Sequence, residues 1–396
     1  MKILILHNRY KIIGGEEGVV KAEYALLEQR GHKVTVLEAN NDRIVGIWGK
    51  LSTAINGLYS LSAKHQVSDA IAQLEPDLVH VHNFFPLLSP SVYDACLDAE
   101  VPVVQTLHNY RLLCPKAMPF RNGQICEDCF DRVVPWSGVL HGCYRNSHIQ
   151  SASVAAMLGL HHWQGTWHKR VDAYIALSDF QKQVFVRAGL PAERFFVKPN
   201  FVFGNEFPPD SQRGDFALFV GRLSEEKGVE ILLDAYLQHQ LTIPLKIIGD
   251  GPLRATLEAK AAGLAQVTFL GQQDPTVVIQ LMQRAQFLVF PSIWYEGFPL
   301  TIAEAYACKL PVIASRLGSM SEIVRDGVTG LHFESGNAAD LASKIQWAIA
   351  HLQSMQNMGA AAYEIYQNCY TPQVNYQQLL HIYQSAIDRA KMRSLN

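Results

Sequence analysis

The chain has 396 residues, 48% of them apolar, with 34 basic against 36 acidic side chains and a formal net charge of −2. At roughly 150 residues per domain, that length makes two or three compact units with ample cores, and the near-neutral balance removes the concentrated basic face by which nucleic-acid readers hold phosphates. No stretch approaches the ~18 consecutive apolar residues that a membrane-spanning helix needs.

The N-terminal apolar run is only Ile3 to Leu6, shorter than the ~7 to 15 residue core of a secretory signal, and reads as a buried first strand. A Gly14-Gly15 turn follows, then a helix carrying Val20, Tyr24 and Leu27 on one face, a stop at Gly31 and a strand over Val34 to Leu37. The alternation continues with Leu78 to His82, a helix near Ser91 to Ala99, Val101 to Leu107, a cysteine-containing excursion, a long helix near Ile149 to Lys169 and the strand Ala173 to Leu177. Gly204, Pro208, Pro209, Asp210, Ser211 and Gly214 then break periodicity as a linker does. A second alternation begins, with strands at Ala217 to Val220, Leu245 to Ile248, Val267 to Leu270, Phe287 to Phe290 and Val312 to Ala314, and residues after Asn337 read as helical. Strands alternating with helices imply parallel sheets covered on both faces, so the chain is an α/β protein with two units of similar build. Ligands of such sheets bind at the carboxyl ends of the strands, and two sheets facing one another would make a cleft there.

The densest chemistry is Gly221-Arg222-Leu223-Ser224-Glu225-Glu226-Lys227-Gly228, directly after an apolar strand. A strand end feeding a helix through glycine, with Arg222 and Lys227 five positions apart, offers amides, a guanidinium fork and an ammonium to a phosphate group. Taken alone, the two cations equally describe a solvated surface pair. Gly249-Asp250-Gly251-Pro252 is a tight turn that lets backbone approach a ligand, or plain turn chemistry. Glu296-Gly297-Phe298-Pro299-Leu300 opens a helix on which Glu304 lies eight residues after Glu296, so both carboxylates can accept hydrogen bonds from sugar hydroxyls, with an acid/base pair or solvated charges as the rival readings.

These segments, with Pro291-Ser292 and Asp326-Gly327-Val328-Thr329-Gly330-Leu331, resemble the glycosyltransferase family 4 group of retaining, nucleotide-sugar-dependent enzymes. They lie in order over about 110 residues of the second half, and the first half agrees through Gly14-Gly15, Thr106-Leu107-His108 and Ala176-Leu177-Ser178. The resemblance implies a GT-B fold: two Rossmann-like domains facing across a cleft, and a C-terminal helix crossing back to the first. In this chain it implies an acceptor-side domain over 1–200, containing an insert at about 110–146 and completed by the helix at about 375–396, and a nucleotide-sugar domain over 201–374. By position, Arg222 and Lys227 are implied as diphosphate ligands, Glu304 as the ribose ligand and Glu296 as a contact to the transferred sugar. Gly14, Gly15, Gly221, Gly249, Gly251, Gly297, Phe298, Pro299 and Leu300 are implied donor-binding positions, and His108 the histidine that touches the donor sugar. Ser178 and Asn200 are weaker candidates.

Cleaving a bond between sugar and phosphate places negative charge on the leaving diphosphate, so cations and amides arranged there in advance supply the main stabilisation. The sequence has no Asp-x-Asp metal clamp, and the expectation is catalysis without a metal. The expected donor is a UDP- or GDP-sugar, moved as a hexosyl-type group to a hydroxyl of a glycan, glycolipid or lipid-linked acceptor. A nicotinamide oxidoreductase is disfavoured because no early loop carries G-x-G-x-x-G. A non-catalytic nucleotide-sugar sensor or partner-binding protein is the alternative that turnover decides. Zinc-dependent nucleic-acid binding lacks a basic cluster.

Cys114, Cys126, Cys129 and Cys143, spaced C-x11-C-x2-C-x13-C, suit a tetrahedral structural zinc, with His141 as a substitute ligand and with reduced unligated thiols, disulfides or redox control as alternatives. The seven cysteines do not form a secreted disulfide pattern, which places the chain in a reducing cytoplasm. An apolar face over Ile44 to Leu61, with Ile47, Trp48, Leu51, Ile55, Leu58 and Tyr59, fits either core packing or peripheral contact with the cytoplasmic membrane face beside a lipid-linked acceptor. Trp163 and Trp167 read as core or edge packing, and Lys309, where the family usually has glycine, as a surface change.

Overall fold

The computed structural model describes residues 1–9, 15–40, 57–204 and 213–394, so Gly14 and most of the apolar face at 44–61 lie outside the described residues. The chain divides into two compact units, one of Met1–Pro119, Glu127–Pro199 and Tyr376–Asn396, the other of Phe120–Cys126 and Asn200–Asn375.

In the first unit β1 (Lys2–Arg9), β2 (Lys33–Asn40), β3 (Leu78–Asn83) and β4 (Val103–Thr106) precede the excursion, which contains a two-stranded hairpin of β5 (Phe120–Arg121) and β6 (Gln124–Ile125). β7 (Ala173–Ala176) and β8 (Phe195–Val197) complete a parallel sheet of order β2-β1-β3-β4-β7-β8. Ile3 to Leu6 are sealed in its centre, and each such side chain contributes roughly 1.5–3 kcal/mol by leaving water. The helix Gly15–Gln29 turns Val20 and Leu27 onto this sheet. The last helix, Pro372–Ser394, places Leu379, Ile382, Tyr383 and Ala386 in the same core, so the end of the chain belongs to the first unit.

The second unit contains β9 (Ala217–Val220), β10 (Leu245–Ile248), β11 (Val267–Gly271), β12 (Phe287–Phe290), β13 (Val312–Ser315) and β14 (Gly330–Phe333). They form a parallel sheet of order β11-β10-β9-β12-β13-β14, the strand order of a Rossmann fold. Both units are thus Rossmann-like, as the GT-B resemblance implies.

Three details depart from the sequence reading. The long helix expected over Ile149 to Lys169 is two, His148–Trp163 and Thr166–Lys169, because Gly165 takes a left-handed φ of 70° between them. β8 and β14 are edge strands of three and four residues, too short to carry a periodic signal. Trp167 is buried, 2% exposed, but Trp163 is 83% exposed, so only the former is a core residue.

Candidate functional site

In the second unit the winding direction reverses between β9 and β12, which lie side by side. Ligands of open α/β sheets sit at the strand ends beside such a reversal. The segment after β9 is Gly221 to Gly228, closed by a short 3-10 turn, Glu225–Lys227, and by Gly228 at φ 66°. A Cβ on Gly228 would stand 1.9 Å from the Pro291 carbonyl oxygen, so glycine is required for this loop to lie against the one after β12. Gly249, at φ 134°, is required in the same way, since its Cβ would meet the Gly221 carbonyl oxygen at 1.9 Å. The Gly221 amide donates to Ile248 O at 3.0 Å and the Leu223 amide to Asp250 O at 2.9 Å, tying the two turns together.

Lys227 and Glu296 meet directly. The lysine Nζ donates to Glu296 Oε1 at 2.6 Å, and the same oxygen accepts from Ser292 Oγ at 2.8 Å and Trp294 Nε1 at 2.9 Å. Ser319 Oγ anchors the Glu296 carbonyl at 2.7 Å. The ammonium lies 5.8 Å from the ring centroids of Phe290 and Trp294. Glu296 is buried and Lys227 half-buried, so the pair sits where its charges are poorly screened. Arg222 is exposed on the same loop. Gly297 and Phe298 are buried, with Phe298 edge-on to Tyr370, and Pro299 caps the helix Leu300–Ala307. Glu304 on that helix is half-buried, and loss of water raises its carboxyl above the usual range. Gly251 holds its turn by donating to Asp250 Oδ1 at 2.7 Å.

In the first unit Gly15 opens the helix Gly15–Gln29, and His108 follows β4 by two residues. His108 is half-buried, with Nε2 2.9 Å from His82 Nδ1. Ser178 serves as an N-cap, accepting from the Gln181 amide, and Asn200 is buried. Around His108 the structure adds a set of buried titratable groups that the motifs did not single out. Glu23 Oε2 accepts from Lys198 Nζ at 3.0 Å, and its Oε1 lies 3.1 Å from His80 Nδ1 and 3.3 Å from His82 Nε2. Burial pushes the Glu16 carboxyl up to about 8 and the His7 imidazole down to about 4. Two sequence signals mark part of this set: Glu23 shares the inward face of its helix with Val20 and Leu27, and His80 and His82 lie two apart on one strand face.

Of the four cysteines expected to hold a structural zinc, Cys114 and Cys129 are buried and Cys126 and Cys143 half-buried. The Cys114 thiol points to Met118 O and the Cys129 thiol to Pro135 O, and no disulfide joins any of the seven cysteines. The described residues place one trio of ligand atoms at metal-site density, Glu23, His80 and His82. Its donor set does not fit a cation: the Lys198 ammonium already occupies the carboxylate, and His80 is engaged by Tyr383 Oη and Thr106 Oγ1, each at 2.8 Å. Lys309 is exposed, as expected, but at φ 55°, a conformation that suits glycine. Among the described residues no helix is long and apolar enough to cross a membrane.

Residues 13–203 match the profile of glycosyltransferase family 4, and residues 206–365 that of glycosyl transferases group 1. An uncharacterized glycosyltransferase of Methanocaldococcus jannaschii is 38% identical over 147 residues, 37% of this chain and 41% of that protein. A D-rhamnosyltransferase of Pseudomonas aeruginosa is 35% identical over 160 residues, 39% of this chain and 42% of that protein. The chain thus spans about two fifths of the length of these curated relatives. A crystal structure of Anabaena HepE in complex with UDP is similar in fold, with a TM-score of 0.69 at 22% identity over 97% of this chain and all of that one.

Proposed function

The chain belongs to the family of glycosyl transferases group 1 and glycosyltransferase family 4, and from that premise we propose that it is a retaining glycosyltransferase. It moves a hexosyl-type sugar from a nucleoside diphosphate to a hydroxyl of a glycan, glycolipid or lipid-linked acceptor. The observation that carries this reading is the Lys227–Glu296 contact at the strand reversal of the second unit, with Arg222 on the same loop. In this reading Lys227 and Arg222 take the diphosphate, where negative charge accumulates as the glycosidic bond breaks. Glu296 is then released from Lys227 to accept from a sugar hydroxyl, and Glu304 accepts from the ribose.

Retention of configuration follows from attack on the face the leaving group departs from, with a departing phosphate oxygen taking the acceptor's proton. That route asks for no carboxylate nucleophile. A UDP- or GDP-sugar is the donor we assign, supported by the UDP bound to the Anabaena protein of the same fold. For a lipid-linked acceptor, the reaction would run at the cytoplasmic face of a membrane.

The test is mass-spectrometric detection of nucleoside diphosphate after incubation with UDP-, GDP-, ADP- and dTDP-sugars. Release from one donor, abolished by Glu296→Ala and by Lys227→Ala, is the expected result. Absence of both release and nucleoside diphosphate binding would overturn the proposal, and binding without release would favour the sensor.

A further inference from the structure

Within the first unit, we propose that Glu23 and His82 are positioning residues that hold His108 as its Nε2–H tautomer, so that His108 offers a bare Nδ1 to a sugar hydroxyl that must donate to it. The sugar part of this inference rests on the glycosyltransferase reading; the tautomer does not.

Glu23 and Lys198 are each 1% exposed, and Lys198 Nζ donates to Glu23 Oε2 at 3.0 Å. Burial alone would raise the Glu23 carboxyl, but the Lys198 ammonium and the histidines around it hold it well below the usual range, so it is ionised and can only accept. Its Oε1 stands 3.3 Å from His82 Nε2 and 3.1 Å from His80 Nδ1, and neither it nor His82 Nε2 makes an aligned hydrogen bond, so the contact with His82 is electrostatic. A lone pair on His82 Nε2 would face the lone pairs of a buried carboxylate, whereas an N–H there is attracted to it. The proton of His82 therefore sits on Nε2, which leaves Nδ1 bare.

The next link is decided by counting protons. His82 Nδ1 and His108 Nε2 are 2.9 Å apart, with the two ring planes inclined by 18° and their centroids 5.2 Å apart. One hydrogen fits between them. Since His82 Nδ1 has none to give, His108 supplies it, and the proton of His108 is fixed on Nε2. A doubly protonated ring would escape this count, but burial holds the His82 imidazole down at about 4 and lowers that of His108 well below its ordinary value, so both are neutral near pH 7. The remaining nitrogen, His108 Nδ1, makes no hydrogen bond among the described residues, and the residue is half-buried. Its lone pair is held without water-like freedom to reorient, which is the preorganised acceptor that a donating hydroxyl requires. His80, its ring 4.1 Å from that of His82, is tied to Thr106 and to Tyr383 of the last helix and walls in the carboxylate.

The experiment is a long-range proton–nitrogen correlation spectrum of the full chain, labelled with 15N in the histidine rings and free of substrate, at pH 7. His108 is assigned by its loss in His108→Gln. The inference expects one protonated Nε2 and one bare Nδ1 for His108 in the wild type, and a mixture of tautomers in His82→Phe, which leaves the Glu23–Lys198 pair intact. The paired replacement Glu23→Gln with Lys198→Met removes the carboxylate without stranding the lysine, and should also give a mixture. An Nδ1–H tautomer or an imidazolium in the wild type would overturn the inference, as would an unchanged spectrum in whichever variant folds. With the donor found above, His82→Phe should lower kcat/KM by about tenfold or more, and a deoxyfluoro donor, which can accept but not donate at the critical position, should react no better than the deoxy donor. A locked tautomer with unchanged turnover in His82→Phe would refute the sugar contact alone. A wild type that releases no nucleotide would refute the glycosyltransferase reading while leaving the tautomer result standing.

Discussion

Replacing Lys227 by alanine removes the ammonium that donates to Glu296 at 2.6 Å. With 23% of the lysine side chain and 8% of the glutamate exposed, the site is partly screened. Two unit charges 4 Å apart at an effective dielectric of about 20 attract by about 4 kcal/mol. The wild-type lysine must give up part of its contact with Glu296 to gain a phosphate, so only a fraction of that appears in affinity. A loss of at least about 1.4 kcal/mol, tenfold in Kd, is the expected outcome. The variant also leaves Glu296 facing the phosphate without its counter-charge. Lys227→Ala combined with Glu296→Gln separates the two causes, since it stays weak if the lysine is a phosphate ligand and recovers if carboxylate repulsion is the whole effect. The assay is calorimetric titration with the nucleoside diphosphate the wild type binds most tightly, with an unchanged thermal midpoint as evidence of folding. An unaltered Kd in folded Lys227→Ala refutes the assignment.

Lys198→Met strands the Glu23 carboxylate, 1% exposed, and should cost about 3–5 kcal/mol in urea unfolding, much of it recovered by adding Glu23→Gln; a single variant within about 1 kcal/mol of wild type would contradict the buried pair. Glu16 has a folded-state pKa of about 8 against 4.5 for an ordinary glutamate, so its contribution is fully present below pH 4.5 and is lost as pH rises through 8. Wild type should therefore lose stability relative to Glu16→Gln by about 1.4 kcal/mol per pH unit across that window, and a flat difference would contradict the burial. Trp167→Ala should cost about 3–5 kcal/mol as a sealed core residue. Trp163→Ala, at 83% exposure, should change stability by less than about 0.5 kcal/mol; similar losses in both would refute the packing described.

The parallel strands at the centre of each sheet were legible because both faces are buried and their apolar runs are continuous, as in Ile3 to Leu6 and Phe287 to Phe290. The loops after β9 and β12 were legible for a different reason. Gly228 and Gly249 answer to backbone oxygens 1.9 Å from where a Cβ would stand, so local sequence records a long-range approach. The break at Gly165 could be read either way, since glycine inside an apolar helical pattern is tolerated as often as it stops a helix. Spacing in sequence sets no distance in a loop, so the four cysteines of the excursion do not fix their own geometry. The network behind His108 was hidden in the same way. Lys198 and Glu23 are separated by 175 residues and meet only after the sheet forms.

The central claim is that a nucleoside diphosphate leaves from one face of the sugar and the new bond forms on that same face. Proton NMR of the anomeric signal, followed from the first minutes of reaction with the accepted donor, tests it directly. The account predicts that released nucleoside diphosphate is matched by a sugar product in the donor's own anomeric configuration. Appearance of the opposite anomer first, or consumption of no donor at all, would contradict it.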